Sequence, residues 1–444
     1  MQVPRMKTNK DTFNVLENIE KHIKMLKPLL PKQAIVCIGE YPIKTLLNAD
    51  VNKERVLSIL IEKSSDEIYK WLPKGYSPHF VLGFEDANID THFWYNVFPA
   101  ISKDDSVVES LKMESVEKLQ SAILFSSIWD GIGSASLPTL IKKCKASNID
   151  SLSIAMLPSK IQPTDAHFNT YAALKMCSNT DGATILLMDR DQIESYEGVD
   201  RNGDLIKGNM VVNYLLNLFL AKDALIEEIS ELSRTFNAKL FTPLVVTGAS
   251  YMIYSSLENM LNTALLKPFL KFDLSKATLL YAILRMPAIL KDKLPRGKVE
   301  LAITNWFKEK TNLQSIYITE PVYTEDMTDR IDVVLFVGGF DLAEMFSDLE
   351  TKVKSLKNQA VDRGFITSDW QVVSKMKEAK ITESGKTDET SATTEVQNAR
   401  IDETQIIAEA LNAKESEKPN NLVKPKRVRR TKKASQTRKR TRKS

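Results

Sequence analysis

Short apolar runs that alternate with amphipathic stretches constrain this chain more than any other feature. Gln33–Ile38 (Q-A-I-V-C-I) and residues 121–128 (S-A-I-L-F-S-S-I), 151–157 and 183–188 are β-rich and lack polar alternation. That is the pattern of strands buried on both faces. Residues 55–62 and 79–82 read as weaker strands. Helical spacing appears between them, over 137–146, with Ser136 as a cap and Pro138 in the first turn, and over 166–178. Strands separated by helices imply a parallel α/β sheet that takes ligands at the carboxyl ends of its strands. From Asp204 to about residue 220 a helix is apolar on most faces, so it belongs between two halves of the molecule. Residues 240–248, 277–285, 315–323 and 331–338 then read as the strands of a second α/β domain. Phe13, Leu16, Ile19, Ile23 and Leu26 give residues 1–30 the spacing of an amphipathic helix.

Composition changes after about residue 370. Residues 377–420 are rich in Glu, Lys, Thr, Ser and Asn and lack aromatics, which predicts a disordered tail. Within it, Ile401 to Leu411 (I-D-E-T-Q-I-I-A-E-A-L) is an apolar island that is either inert or a helix that docks on a protein partner. Lys424 to Lys443 holds twelve Lys or Arg and no acid; the net charge is +4, so the remainder sums to −8. Without aromatics the segment has no stacking platform and reads only charge. Its candidate partners are DNA, RNA or an anionic membrane, the alternatives being a solvated tail or a contact with the acidic body. No run is long and apolar enough to span a bilayer, and no signal-peptide core follows Met1, so a cytoplasmic protein is expected. Cys37, Cys144 and Cys177 are scattered, and His22, His79, His92 and His167 lack ligand spacing, so neither a disulfide framework nor a structural metal is expected.

Five segments, in order, carry a resemblance to a known family. Residues 127–136 (S-I-W-D-G-I-G-S-A-S) stand where tubulins and FtsZ proteins have their glycine-rich phosphate loop. Residues 153–159 (S-I-A-M-L-P-S) resemble the tubulin strand ending in L-P-S, and 184–193 (T-I-L-L-M-D-R-D-Q-I) resemble V-M-V-L-D-N-E-A-L. Residues 204–208 (D-L-I-K-G) are similar to the opening of the FtsZ central helix. Residues 325–341 (E-D-M-T-D-R-I-D-V-V-L-F-V-G-G-F-D) are similar to the FtsZ second domain. The chain thus resembles the tubulin/FtsZ superfamily from about residue 32 to 350, as a divergent FtsZ-like protein of archaeal type. The resemblance implies a GTP-binding domain over 31–203, a central helix and following segment over 204–238, a C-terminal α/β domain over 239–370 and a tail over 371–444.

It also implies a site. GTP or GDP would lie on the backbone N–H groups of Asp130, Gly131, Gly133 and Ser134, with Gly39 in the first loop. Glycine is needed in such loops because the backbone approaches phosphate closely. Here Trp129, Asp130 and Ala135 replace expected glycines. Glu40, Asp86 and Asp130 place an acid in each of three phosphate loops, which either helps hold Mg²⁺ or marks decayed triphosphate binding. At the base-reading end the resemblance assigns Asp204 to guanine, or to capping the central helix, with Asp191 and Tyr171 nearby and Arg190 in place of an asparagine. Glu228 and Glu231 stand in for the acids that orient water at the neighbouring subunit's nucleotide; the alternative is a solvated helix face. The expected function is therefore a GTP-binding cytoskeletal protein that assembles head-to-tail into filaments for cell division or cell organisation. Its GTPase activity would be weak or lost. The alternative is a scaffold that binds no nucleotide, tethered to DNA or membrane by its basic tail.

Overall fold

A computed structural model of the chain describes residues 33–49, 56–84, 89–113, 121–221, 225–325 and 327–373. The expected helix over 1–30, Asp86, the apolar island at 401–411 and the basic segment at 424–443 lie outside the described residues.

The first half alternates strand and helix. It runs β1 (Gln33–Ile38), α1 (Glu40–Asn48), β2 (Val56–Glu62), α2 (Ser65–Trp71), β3 (Phe80–Gly83), α3 (Trp94–Lys103), α4 (Ser106–Met113) and β4 (Ser121–Ser127). Then come α5 (Gly131–Ala146), β5 (Asp150–Leu157), α6 (Thr164–Ser178), β6 (Thr184–Asp189) and α7 (Arg190–Ser195). A hairpin of β7 (Glu197–Val199) and β8 (Leu205–Lys207) leads into α8 (Gly208–Ala221) and α9 (Leu225–Thr235). The second half holds β9 (Leu240–Ser250), α10 (Tyr251–Tyr254), α11 (Leu257–Ala264), β10 (Leu279–Pro287) and α12 (Arg296–Lys308). It closes with β11 (Ser315–Ile318), β12 (Val322–Thr324), β13 (Arg330–Gly338) and α13 (Ala343–Asp362).

The strands form one mixed sheet in the order β11-β10-β13-β9-β6-β5-β4-β1-β2-β3, with β12 beside β10. From β3 to β6 every pairing is parallel, as buried runs joined by helices require. β9 meets β6 in parallel over only two residue pairs, Ile185 with Leu240 and Leu186 with Phe241. β13 is antiparallel to both its neighbours. The order of β1, β2, β4, β5 and β6 matches the strands read from sequence; the 315–323 run divides into two strands at Thr319–Pro321.

Both faces of the sheet are covered, which is why its central strands lack polar alternation. Ala34, Val36 and Ile38 face a core shared with α3, α5, α6 and α13, while Ile35 and Cys37 face one shared with α1, α8 and α9. Val212, Leu216 and Phe219 of α8 pack in the second core with Phe241, Tyr281 and Phe336 from the other half. The central helix is apolar on most sides because it is enclosed by both. Each such side chain contributes about 1.5–3 kcal/mol through burial.

Two helix starts differ from the sequence reading. α5 begins at Gly131, not near Leu137, because Asp130 caps it by accepting from Gly133 N. Ser136, read as the cap, is buried within the helix. α8 begins at Gly208, because Leu205–Lys207 pair with Glu197–Val199 before the chain turns helical. Asp204 therefore lies in the hairpin turn and does not cap the helix.

Candidate functional site

A cavity of about 510 Å³ opens at the carboxyl ends of β1, β2 and β4, within the range of small-ligand sites. α1 supplies Glu40, Tyr41, Lys44 and Thr45; the strand ends supply Glu62, Ser127, Trp129 and Asp130; α7 supplies Arg190 and α8 supplies Asn209 and Asn213. The parallel order of the sheet puts these residues together, since every loop at this end follows a strand's last residue.

One wall is aromatic and amide-bearing. Tyr41 meets Trp129 edge to face at 6.1 Å, and the Arg190 guanidinium lies over the Trp129 ring at 5.6 Å. Tyr41 Oη donates to Asn209 Oδ1 at 2.8 Å. Burial pushes the Tyr41 hydroxyl up to about 12, so it stays a donor at all ordinary pH. One turn along α8, Asn213 turns an Oδ1 inward that has no hydrogen-bond partner among the described residues.

The opposite wall is acidic. Asp130 Oδ1 accepts from Gly133 N at 2.6 Å, and Asp130 Oδ2 accepts from Ser127 Oγ at 3.3 Å. Ser134 Oγ donates to the Asp130 carbonyl at 2.5 Å. Burial raises the Asp130 carboxyl to about 6, against the bonds from Gly133 and Ser127. Burial also raises Glu62 to about 7, with Asp130 and Glu40 nearby adding repulsion. Glu40 pairs with Lys44 one turn away. A protein carboxylate thus occupies the N–H group at the start of α5 that a phosphate would otherwise take.

The glycines here are fixed by packing. A Cβ on Gly133 would lie 1.8 Å from the Ser127 carbonyl oxygen. Gly39 has φ +93°, and its Cβ would lie 2.2 Å from Ser127 Oγ. Their retention does not by itself demand a bound phosphate.

Of the eight residues assigned to nucleotide binding, the structure gathers Gly39, Asp130, Gly131, Gly133 and Ser134 beneath this cavity. The other three lie elsewhere. Asp191 accepts from Lys160 N at 2.9 Å, fastening the turn after β5. Asp204 is exposed in the β7–β8 turn, its N–H donating to Asp200 Oδ1 at 2.9 Å. Tyr171 lies on the other face of the sheet, packed against Phe346 and Trp370. Tyr41, Lys44, Glu62, Asn209 and Asn213 were not singled out as site residues. The asparagines did leave a signal: two amides spaced i, i+4 in an apolar helix share one face.

Glu228 and Glu231 lie far from the cavity. Gln33, the first residue of β1, donates to the Phe219 and Leu220 carbonyls at 3.2 Å with its amide oriented to satisfy both. Arg234 Nη1 pairs with Asp150, the first residue of β5, at 2.9 Å. Both ends of α9 are therefore at the amino-terminal edge of the sheet, and α8 runs the length of the sheet from the cavity to that edge. Glu228 accepts from the Tyr281 hydroxyl, while Glu231 is exposed.

The donor set does not make a protein-held metal site. No group of three or more His, Cys, Asp or Glu is placed to hold an ion among the described residues, and the Asp130 carboxylate is already engaged. No helix among the described residues is long and apolar enough to cross a membrane.

No protein-family model matches the sequence, and no curated protein matches it. Solved structures do match. CetZ2 from Haloferax volcanii, solved as a GTPγS-bound protofilament, has a TM-score of 0.58 at 17% identity, over 74% of this chain and 99% of that one. CetZ1 from Haloferax volcanii, solved as a GDP-bound monomer, has a TM-score of 0.57 at 14% identity, over 73% and 99%. TubZ from Bacillus thuringiensis serovar israelensis, solved as a GTPγS-form protofilament, has 0.53 at 12%, over 79% and 98%. At these identities the likeness is one of fold, and it spans almost the whole of each of the three.

Proposed function

We propose, from the premise that this chain has the tubulin/FtsZ fold, that it is a filament-forming protein whose guanine-nucleotide site is weakened at its phosphate end. The observation that carries this reading is Asp130, whose carboxylate takes the Gly133 N–H at 2.6 Å within a cavity otherwise fit for a nucleoside. Tyr41, Trp129 and Arg190 would flank the base or ribose, and Asn209 and Asn213 would offer amides to it. Asp204, assigned to guanine by resemblance, would reach it only if the β7–β8 turn moved. GTP and GDP in protofilaments and monomers belong to the CetZ and TubZ structures; their extension to this chain is part of the proposal.

Self-assembly rests on polarity. The cavity and the Glu228–Glu231 pair lie at opposite ends of α8, so head-to-tail stacking would bring one subunit's glutamates to the next subunit's cavity. Hydrolysis would be weak or absent, because Glu228 is bonded to Tyr281 and the cavity is itself acidic. Any Mg²⁺ would have to arrive with the nucleotide. A role in cell organisation or division follows from assembly and from a basic tail able to hold anionic polymers or lipid.

The test is equilibrium binding of GTP and GDP, with and without Mg²⁺, to the protein and to Asp130→Gly. The variant removes the internal anion and should tighten GTP more than GDP. Equal or weaker GTP binding by the variant would show that the phosphates do not lie on this loop; no measurable binding by either protein would favour the second reading, a scaffold that binds no nucleotide, which the occupied Gly133 N–H also supports. Sedimentation with and without nucleotide then separates assembly from binding.

A further inference from the structure

In the second half, β9 and β10 run in the same direction with β13 between them. Arg330, the first residue of β13, pairs with Ser250 at the end of β9, and Arg285, two residues before the end of β10, pairs with Asp332. Neighbouring strands lie about 4.8 Å apart, so the two strand ends are about 10 Å apart. β9 then leads into α11 and β10 into α12. Both helices pack in a core on the same face of the sheet, where Trp306 Nε1 donates to Asn262 Oδ1 at 2.9 Å. The turns that precede them, 251–256 and 288–295, therefore share one corner of the molecule.

Apolar side chains project from that corner. Met252 and Ile253, on α10, are 79% and 76% exposed, and Ile289, in the other turn, is 54% exposed. Tyr251 and Tyr254 flank the first pair, half-buried. The tip is firmly tied. Tyr251 N donates to the Asp329 carbonyl at 3.0 Å, Met252 N to Asp329 Oδ2 at 2.7 Å and Ile253 N to Ser250 Oγ at 3.3 Å. Ser255 N donates to the Tyr251 carbonyl at 2.9 Å. A segment that leaves water for lipid needs its backbone donors bonded inside the protein in this way.

Cations surround the apolar side chains. Lys291, Lys293, Arg296 and Lys298 are all exposed, and Asp292 is the one acid between residues 288 and 298. Arg296 pairs with Glu300 at 2.7 Å, whereas none of the three lysines has a carboxylate at ion-pair distance among the described residues. Glu320 and Glu325 flank β12, at the edge of the sheet. Lysine favours lipid over protein here. It is depleted in protein interfaces, but its stem can lie along hydrocarbon while its ammonium reaches the headgroups. Three aliphatic side chains also fall well short of the ~800 Å² per partner of a standard protein interface.

We propose that this corner docks on a lipid bilayer. Met252 and Ile253 enter the acyl boundary, Tyr251 and Tyr254 lie at its rim, and Lys291, Lys293 and Lys298 meet the headgroups. So few aliphatic groups grip less than one lipid chain, which by itself gives only marginal binding. The corner therefore sets which side of the body faces a membrane. It is separate from the cavity at the ends of β1, β2 and β4 and does not depend on nucleotide there.

The basic segment at 424–443 attracts the same lipids through charge, so the test reads the position of the tip. The full chain carries a solvent-sensitive thiol dye at Ile253→Cys or, as a reference, at Tyr69→Cys, an exposed site on α2; Cys37, Cys144 and Cys177 are buried. The vesicles are phosphatidylcholine with phosphatidylglycerol, with or without bromine on the acyl chains. At saturating vesicles the dye at 253 should shift to the blue and be quenched by the brominated lipid, and the dye at 69 should do neither. Adding Met252→Asp beside the dye should remove the shift. In unlabelled protein at high salt, which screens the tail, Met252→Asp with Ile253→Asp should lower vesicle co-sedimentation about tenfold. The proposal is overturned if the dye at 253 stays unshifted at saturation, if both dyes respond alike, or if the double variant sediments as the parent does. A shift that grows with protein concentration in the absence of vesicles would overturn it in favour of a second copy of the chain.

Discussion

Asp130 has two roles that pull against each other. Its side chain caps α5, which favours folding, while its burial disfavours the charge it carries. The folded-state value, about 6, is above the ordinary carboxylate value of 3.8, so between these values the folded protein binds more protons than the unfolded chain. Stability should therefore fall as pH rises through that window, and Glu62, raised to about 7, should extend the fall upward. Asp130→Asn keeps a capping acceptor and removes the charge. We expect it to stabilise the protein above pH 7 by about 1–2 kcal/mol and to flatten the slope, measured by urea unfolding across pH. Gly133→Ala should have the opposite sign. Its Cβ would meet backbone, which cannot rotate away, so a loss above about 3 kcal/mol is expected in the same assay. A loss under about 1 kcal/mol would show that the loop is not packed as described. These effects explain why the loop's chemistry was only half legible in sequence. The foreign residues at 129, 130 and 135 were visible; that Asp130 turns inward to take the loop's own N–H was not, because it depends on the start of α5.

At the scale of elements, the buried strands were readable because a run apolar on both faces has few alternatives. The base-reading end was not. Asp204 fitted a family pattern, but three residues of strand intervene before α8, and this displaces it from the cavity. Tyr171 fitted by position along α6, yet it faces the other core. What decides such cases is which side of a helix meets the sheet, and that is fixed by contacts distant in sequence. α8 allows a matched pair of tests. Asn213 and Asn217 both carry a buried Oδ1 without a partner among the described residues, but only Asn213 lines the cavity. Asn217→Leu should stabilise the protein by about 1 kcal/mol and leave ligand binding unchanged. Asn213→Leu should stabilise it similarly in thermal unfolding and abolish whatever guanine nucleotide binding is measured. If both variants bind alike, α8 does not read the base.

At the scale of the molecule, the chain divides its charge, with a body and first tail segment at −8 and twelve cations at the end. Removing residues 424–444 should abolish most binding to DNA or anionic vesicles without altering the thermal transition of the body. The full chain should lose affinity steeply as salt rises, with little preference among sequences. Equal binding by the truncated and full chains, across a salt series, would exclude the tail as an anchor. The loop at the strand ends has a consequence for how the protein is maintained in a cell. A phosphate loop lined by bare N–H groups is incomplete until a ligand arrives, so the abundance of the folded protein follows that ligand's supply. Here the chain carries its own anion at Asp130, and the loop is complete as soon as it folds. The protein should leave purification empty of nucleotide yet fully folded, and its abundance should not track the energy state of the cell.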